Sequence, residues 1–301
     1  MTTTQPDAPL DARSPVAETR PFAWLVRREL WENRYLYVAP VLVAEIVLLA
    51  SMFATFTRVR RIDLPSNPAT LHAAAGPFQM APAPIMLVAL VIGIFYCLDA
   101  LYGERRDRSI LFWKSLPVSD RTTVLSKASI PMMVLPAMAI GLSVVIQVVL
   151  IFVGSAIMLG RGMSPVPLWG ELRFFEGLPI MVYGLSVHVL WFAPIYAWLL
   201  LASAWARRAA FLWAVLPLMA VAAVERIVFG TTRFLALLHY RVGGAMKEAF
   251  VSGPAEEGNV ERLWQLDPVT FLAAPGLWLG LLFAAACLVA AVRLRRNREP
   301  I

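Results

Sequence analysis

Ser186 and His188 are the residue types of an activated nucleophile, a hydroxyl beside an imidazole that could take its proton. Their spacing works against the pairing. On a helix, residues two apart point about 200° from each other, so the two side chains cannot meet on one face. His72 and His239 lie far from them in sequence, and the histidines show neither His-x-x-x-His nor Cys-x-x-Cys spacing, so no metal site is expected. Cys97 and Cys287 fall inside apolar segments and read as small apolar residues, with no disulfide framework implied. Glu256 and Glu257, with Arg262 following, have the look of the paired glutamates of some membrane proteases, but a Gly-rich setting makes a solvated acidic turn the expectation. No G-x-x-x-x-G-K-[ST] loop is present to hold ATP phosphates, so any ATP-driven role requires a second protein. The chain is therefore read as having no catalytic constellation and no cofactor of its own.

A different chemistry, recognition, is concentrated in residues 104–127, a basic stretch between two long uncharged segments. Ser109 could cap a short helix containing Ile110, Leu111, Phe112, Trp113 and Leu116, which Pro117 would end. Ser119 or Asp120 could then cap the next helix, which rises through Lys127 into an apolar run. An exposed Phe112–Trp113 pair flanked by Arg108 and Lys114 suits insertion into a groove of a partner protein, with Arg105 and Arg108 steering. Composition alone equally allows a loop touching lipid headgroups.

The elements that position this stretch are membrane helices. Of 301 residues 59% are hydrophobic and only 16% charged, against about a quarter charged in a soluble domain. Spanning a hydrocarbon core takes about 20 mostly apolar helical residues, and the chain offers that length at about 36–57, 80–101, 130–158, 178–205, 208–228 and 270–292. Continuous apolar runs without alternation indicate helices and not a barrel. Lys and Arg favour a cytoplasmic N-terminus and C-terminus, because Arg27, Arg28, Arg34, the 104–127 basic residues, Arg207, Arg208 and the 293–298 arginines then share one side. That pattern and anionic lipid account for the net charge of +7 without nucleic acid.

Residues 1–20 read as a disordered cytoplasmic tail and 293–301 as a basic one, while 21–35 repeat apolar residues near helical spacing among charges, as an interfacial helix does. Glu45 lies near the middle of the first span. An ionisable group at the bilayer centre costs at least about 2.5 kcal/mol, so Glu45 must face protein or water, either lining a substrate path or bonded to a neighbouring helix. Asp99 and Glu225 lie nearer span ends, where anchoring is expected. Trp191 and Trp198 are expected to pack between helices.

The run from Glu104 to Asp120, continuing to Lys127 between the second and third spans, resembles the corresponding loop of bacterial ABC transporter permeases of the type-2 exporter family. The resemblance extends to the helix from Phe22 to Arg34, the six spans and the long segment 229–269, and only the 104–127 loop is fairly specific. It implies an all-α integral membrane fold with six transmembrane helices, an N-terminal interfacial helix and a cytoplasmic coupling helix between spans two and three. It further implies residence in a bacterial inner membrane, a second permease copy or related permease, and a separate ATPase subunit that carries ATP and Mg. The coupling residues would be Arg105, Arg108, Ser109, Phe112, Trp113, Lys114 and Pro117, with Glu45 in the translocation path. The alternative is a non-transporting membrane scaffold whose loop binds another cytoplasmic partner.

Overall fold

The computed structural model describes residues 21–60, 78, 81–115, 118–172, 174–251 and 262–297. The expected tail at 1–20, the last residues 298–301, Leu116 and Pro117, the prolines at 65, 68 and 77, His72, and the turn holding Glu256 and Glu257 lie outside them. Among the described residues, six helices are long and apolar enough to cross a membrane, which makes this a multi-pass membrane protein.

Helix α1 spans Pro21–Glu32, followed by the first long helix, α2, at Tyr35–Arg60. The second is α3, Pro82–Ala100, extended by the short α4, Tyr102–Arg106, and then by α5, Ser109–Ser115. The third begins as α6, Asp120–Ser129, passes through a π-helical turn at Ile130–Val134, and continues as α7, Leu135–Gly160. The widened turn sits where Pro131 has no N–H to donate to a regular ladder. Gly93 of α3 makes room for it, since a Cβ there would lie 3.2 Å from the Pro131 Cβ.

After α8, Val166–Leu172, come the long helices α9, Phe174–Trp205, and α10, Ala210–Phe229. The chain turns tightly at Arg207 and Arg208 between them, and Ala209 takes a left-handed φ of 46° to complete the turn. Helix α11, Arg233–Ala249, follows within the long segment 229–269. Finally, α12, Pro268–Ala273, precedes α13, Pro275–Asn297.

Two differences from the sequence reading concern the last helix. It starts at Pro275 and not near 270, because Asp267 caps α12 by accepting from the Thr270 N–H at 2.9 Å, and Ala274 then breaks the helix in an extended conformation. It also continues past 292 through Arg293, Arg295 and Arg296, so most of the expected basic tail is helical. Arg295 is buried there because carboxylates from two other helices meet it.

The core forms where α9 packs along α13, α2 along α7, and α3 against both α7 and α9. Leu36, Ile85, Tyr96, Ile130, Leu135, Leu150 and Tyr196 are nearly inaccessible in it. Trp191 and Trp198 pack between helices as expected, each tied down by its indole N–H: Trp191 donates to the Arg241 carbonyl at 2.8 Å and Trp198 to that of Ala214 at 2.9 Å. Glu225 anchors the C-terminal corner of α10. It accepts from the Thr231 hydroxyl at 2.6 Å and from the N–H groups of Arg233 and Phe234 at 2.7 Å, satisfying the free donors at the start of α11.

Candidate functional site

Arg108 lies between α4 and α5 with φ of 56°, a left-handed residue that separates α5 from the end of the second span. Ser109 is the first helical residue of α5 and not its cap, because its hydroxyl turns back to donate to the Glu104 carbonyl at 3.4 Å. Helical spacing then divides the apolar residues. Ile110 is 2% exposed and anchors the helix, while Leu111 and Phe112 face outward at 59% and 60% exposure.

Trp113 differs from the exposed partner expected for Phe112. Its ring meets that of Phe112 edge-on at 4.9 Å, but it is half-buried because the Arg28 guanidinium of α1 lies over it, 3.8 Å from the ring centroid. The pair is thus split between an outward surface and an inward contact. Lys114 belongs to the same helix, and Arg108 is exposed at its base.

Arg28 is also the edge of a buried ionic network. Its Nη2 donates to Glu29 Oε1 at 2.6 Å and approaches Glu104 Oε1 at 3.5 Å. The Lys127 ammonium bridges the same two carboxylates, 2.8 Å from Glu29 and 3.1 Å from Glu104. Glu29 Oε2 accepts from the Tyr96 hydroxyl at 2.8 Å. On the far side Arg295 donates to Glu104 Oε2 at 3.1 Å and pairs with Asp120. Glu32 Oε1 lies 3.5 Å from Arg28 Nε as well, so three cations face four carboxylates drawn from α1, α4, α6 and α13, with Tyr96 adding α3.

Burial alone would raise the Glu29 carboxyl, but the Lys127 ammonium, Arg28 and the Tyr96 hydroxyl outweigh it and hold the group below its ordinary value. Beside it, Glu32 moves the other way, pushed up chiefly by burial. A polar cavity of about 260 Å³ opens against the network, walled by Glu29, Tyr96, Asp99, Glu104, Trp113 and Lys127. Such a network is a poor source of net stability, yet breaking one member is expensive, so the helices that share it are held in a fixed arrangement.

Arg105 does not stand where a steering charge would. It is 3% exposed, and its Nη2 donates to the carbonyls of Ser203 at 3.0 Å and Ala206, satisfying the open end of α9. In return the Ser203 hydroxyl accepts from the N–H groups of Leu101 at 3.1 Å and Tyr102 at 2.9 Å, where α4 begins. The two residues clasp the second span to the fourth.

Glu45 is far from this cluster, midway along α2 on its exposed side, in the stripe of Val38, Leu42, Leu49 and Phe53. Of the two surroundings expected for it, a hydrogen bond to a neighbouring helix does not occur among the described residues. His188 and Ser186 diverge on α9 as their spacing requires: His188 Nε2 meets the Tyr196 hydroxyl at 3.1 Å, while the exposed Ser186 hydroxyl donates to its own helix at the Val182 carbonyl. Among the described residues no group of three His, Cys, Asp or Glu is placed to hold a metal ion.

The network itself went unread in the sequence, although one signal was available. The buried residues of α1 are Leu25, Arg28 and Glu29, an i, i+3, i+4 set, so the charged pair lies on the face that the apolar spacing turns inward. The chain was compared with family models, curated proteins and solved structures, and nothing matches it.

Proposed function

We propose that the chain is the membrane-spanning subunit of an ATP-driven exporter in a bacterial inner membrane. It acts with a second copy or a related permease, and it is driven by separate ATPase subunits that carry ATP and Mg. In this reading both termini are cytoplasmic, α1 lies in the membrane interface, and α5 is the coupling helix. One observation supports it above others. A short helix presents Leu111 and Phe112 outward while its inner face, through Trp113 and Arg28, joins an ion network that includes residues of four further elements.

The arrangement suits transmission of a push. A partner groove that takes Phe112 and Leu111 would move α5 as a body, because Ile110 and Trp113 fix its inner face. Displacing Trp113 displaces Arg28, and Arg28 shares carboxylates with Lys127 at the foot of the third span and, through Glu104, with Arg295 at the end of the sixth. The π-helical turn just above Lys127 is a place where the third span can yield. Arg105, clasped to Ser203, carries the motion to the fourth span as a positioning residue. Glu45, on the open face of α2, is suited to a path formed between two subunits.

Purification of the chain in mild detergent from its native cells tests the proposal. An ATPase bearing a phosphate loop, recovered at near-equal stoichiometry and lost with Leu111→Ala/Phe112→Ala, is the expected result. Reproducible recovery of the chain without one, or with a different cytoplasmic partner on α5, overturns it in favour of a membrane scaffold.

A further inference from the structure

The π-helical turn of the third span leaves one buried carbonyl, that of Pro131, without a donor from its own ladder. The four-residue bond to it would come from Leu135, but Leu135 donates its N–H to the Ile130 carbonyl, five residues back. The five-residue bond would come from position 136, which is a proline with no N–H. Pro131 is buried, so water does not take the place of the missing donor. A buried carbonyl so placed needs a side chain, and between membrane helices a polar side chain of a neighbouring span is the usual source.

His188 of α9 is that side chain, and its imidazole donates to the Pro131 carbonyl. A carbonyl only accepts, and a neutral imidazole has one N–H, so the proton is committed to Pro131 and Nε2 accepts from the Tyr196 hydroxyl at 3.1 Å. His188, Phe192 and Tyr196 recur every four residues along one face of α9, and the Phe192 ring lies 4.9 Å from the imidazole. Gly93 of α3 closes the other side. A Cβ there would stand 3.5 Å from the Tyr196 ring as well as 3.2 Å from the Pro131 Cβ, so the second, third and fourth spans meet at this turn.

This bond differs from an ordinary contact between helices in what it controls. The third span is continuous on both sides of the turn, with α6 and Lys127 before it and α7 after it, so the turn sets the angle between them. Its missing donor comes from the fourth span and not from the helix itself. A movement of α9 against the third span therefore breaks the bond while the remaining ladders of both helices stay intact. The π turn is held from outside, at one point, by one N–H.

We propose that His188, oriented by Tyr196, is a latch on the third span: its imidazole N–H gives the Pro131 carbonyl the donor that Leu135 and Pro136 do not, and opening of that bond frees the span to bend at residues 130–136. His188 is a positioning residue in this role. The latch does not depend on the exporter reading; only its use during transport does, and its test is read without an ATPase.

Amide hydrogen exchange of the full chain in detergent, followed by mass spectrometry, reads the turn directly. His188→Phe removes the donor and keeps an aromatic ring. It is expected to speed exchange of the amides from Met132 to Leu135 about tenfold, the effect of one lost hydrogen bond on local opening, while the amides of α3 and the rest of α9 keep their wild-type rates. Pro136→Ala places an N–H five residues beyond Pro131, so His188→Phe/Pro136→Ala is expected to return the turn to near wild-type exchange. Unchanged exchange in His188→Phe overturns the proposal. Faster exchange spread evenly over α3, α7 and α9 also overturns it, since that describes a general loss of packing, and so does a local increase that Pro136→Ala leaves in place. If His188→Phe alone does not fold, recovery of folded protein in the double variant supports the latch, and failure of the double variant beside a folded Pro136→Ala refutes it.

Discussion

The Arg28 guanidinium lies 3.8 Å over the Trp113 ring and, at its other edge, 2.6 Å from the Glu29 carboxylate. One side chain thus joins a short surface helix to a buried ionic network, and removal of Trp113 or of Phe112 should have separable effects. Phe112→Ala deletes an exposed ring and should leave the unfolding free energy within about 0.5 kcal/mol of wild type while, on the exporter proposal, reducing ATPase recovery. Trp113→Ala deletes the cation–π contact and should cost about 1 to 2 kcal/mol in stability. Unfolding in detergent with quantitative co-purification checks both, and equal destabilisation by the two would contradict the division between outward and inward faces.

The pH dependence of stability should carry the signature of Glu29. Its folded value is depressed below the ordinary 4.5, with burial overcome by Lys127, Arg28 and Tyr96. A carboxyl depressed in the folded state stabilises above its unfolded value and loses that contribution as pH falls through the folded one. Thermal midpoints should therefore drop as the pH is taken below 4.5, and Glu29→Gln should weaken that dependence. Glu32, raised by burial, acts in the opposite sense, so Glu32→Gln should not reduce stability at neutral pH. At neutral pH Glu29→Gln should cost about 3 to 5 kcal/mol, the penalty of leaving Lys127 partly unpaired.

What the sequence disclosed and what it concealed follow from the range of the interactions. Six continuous apolar runs define six helices locally, because each satisfies its own backbone. The Ser119 cap was legible for the same reason, since its hydroxyl accepts from the Thr122 N–H three residues on. The ionic network was not legible, because Glu29, Glu104, Lys127 and Arg295 meet only when four elements are packed. In sequence the basic ones served equally well as flanking charges of membrane spans. Arg105 was read as a surface charge on the same ground, and only the position of Ser203 reveals why it is buried. Gly276 and Gly280 gave a four-residue spacing that passed unnoticed beside the apolar run of α13, although small residues so spaced let another helix approach closely.

Arg105 should prove structural for the bundle end and indirect for partner binding. Arg105→Ala leaves the Ser203 and Ala206 carbonyls without their buried donor, a loss of about 1 to 3 kcal/mol. Arg105→Lys keeps the charge but, on a shorter side chain, does not bring a donor to the position where Nη2 meets both carbonyls, and it should recover only part of the loss. ATPase recovered per folded molecule should stay near wild type in both, since neither variant alters Leu111 or Phe112. A large drop in that ratio with unchanged stability would return Arg105 to the docking surface.

Glu45 offers the clearest test of how copies of the chain are arranged. Helix α2 is among the least covered of the spanning helices, and its exposed residues Val38, Leu42, Glu45, Leu49 and Phe53 follow spacings of three and four, the pattern of a helix seam. A carboxylate on such a face, near the middle of a bilayer, is tolerated against protein or water and strongly disfavoured against lipid. If a second copy covers the seam, a cysteine at Leu49 should cross-link to its counterpart in membranes and give a species of twice the mass, with Cys97 and Cys287 remaining buried and silent. Glu45→Gln should then preserve the cross-link and, on the exporter proposal, change transport, because it removes the charge and keeps the shape. Glu45→Leu should preserve the cross-link as well, or strengthen it, by removing the desolvation cost from the seam. A cross-link to a different protein would assign the face to another partner, and its absence together with wild-type transport by Glu45→Leu would remove α2 from the path.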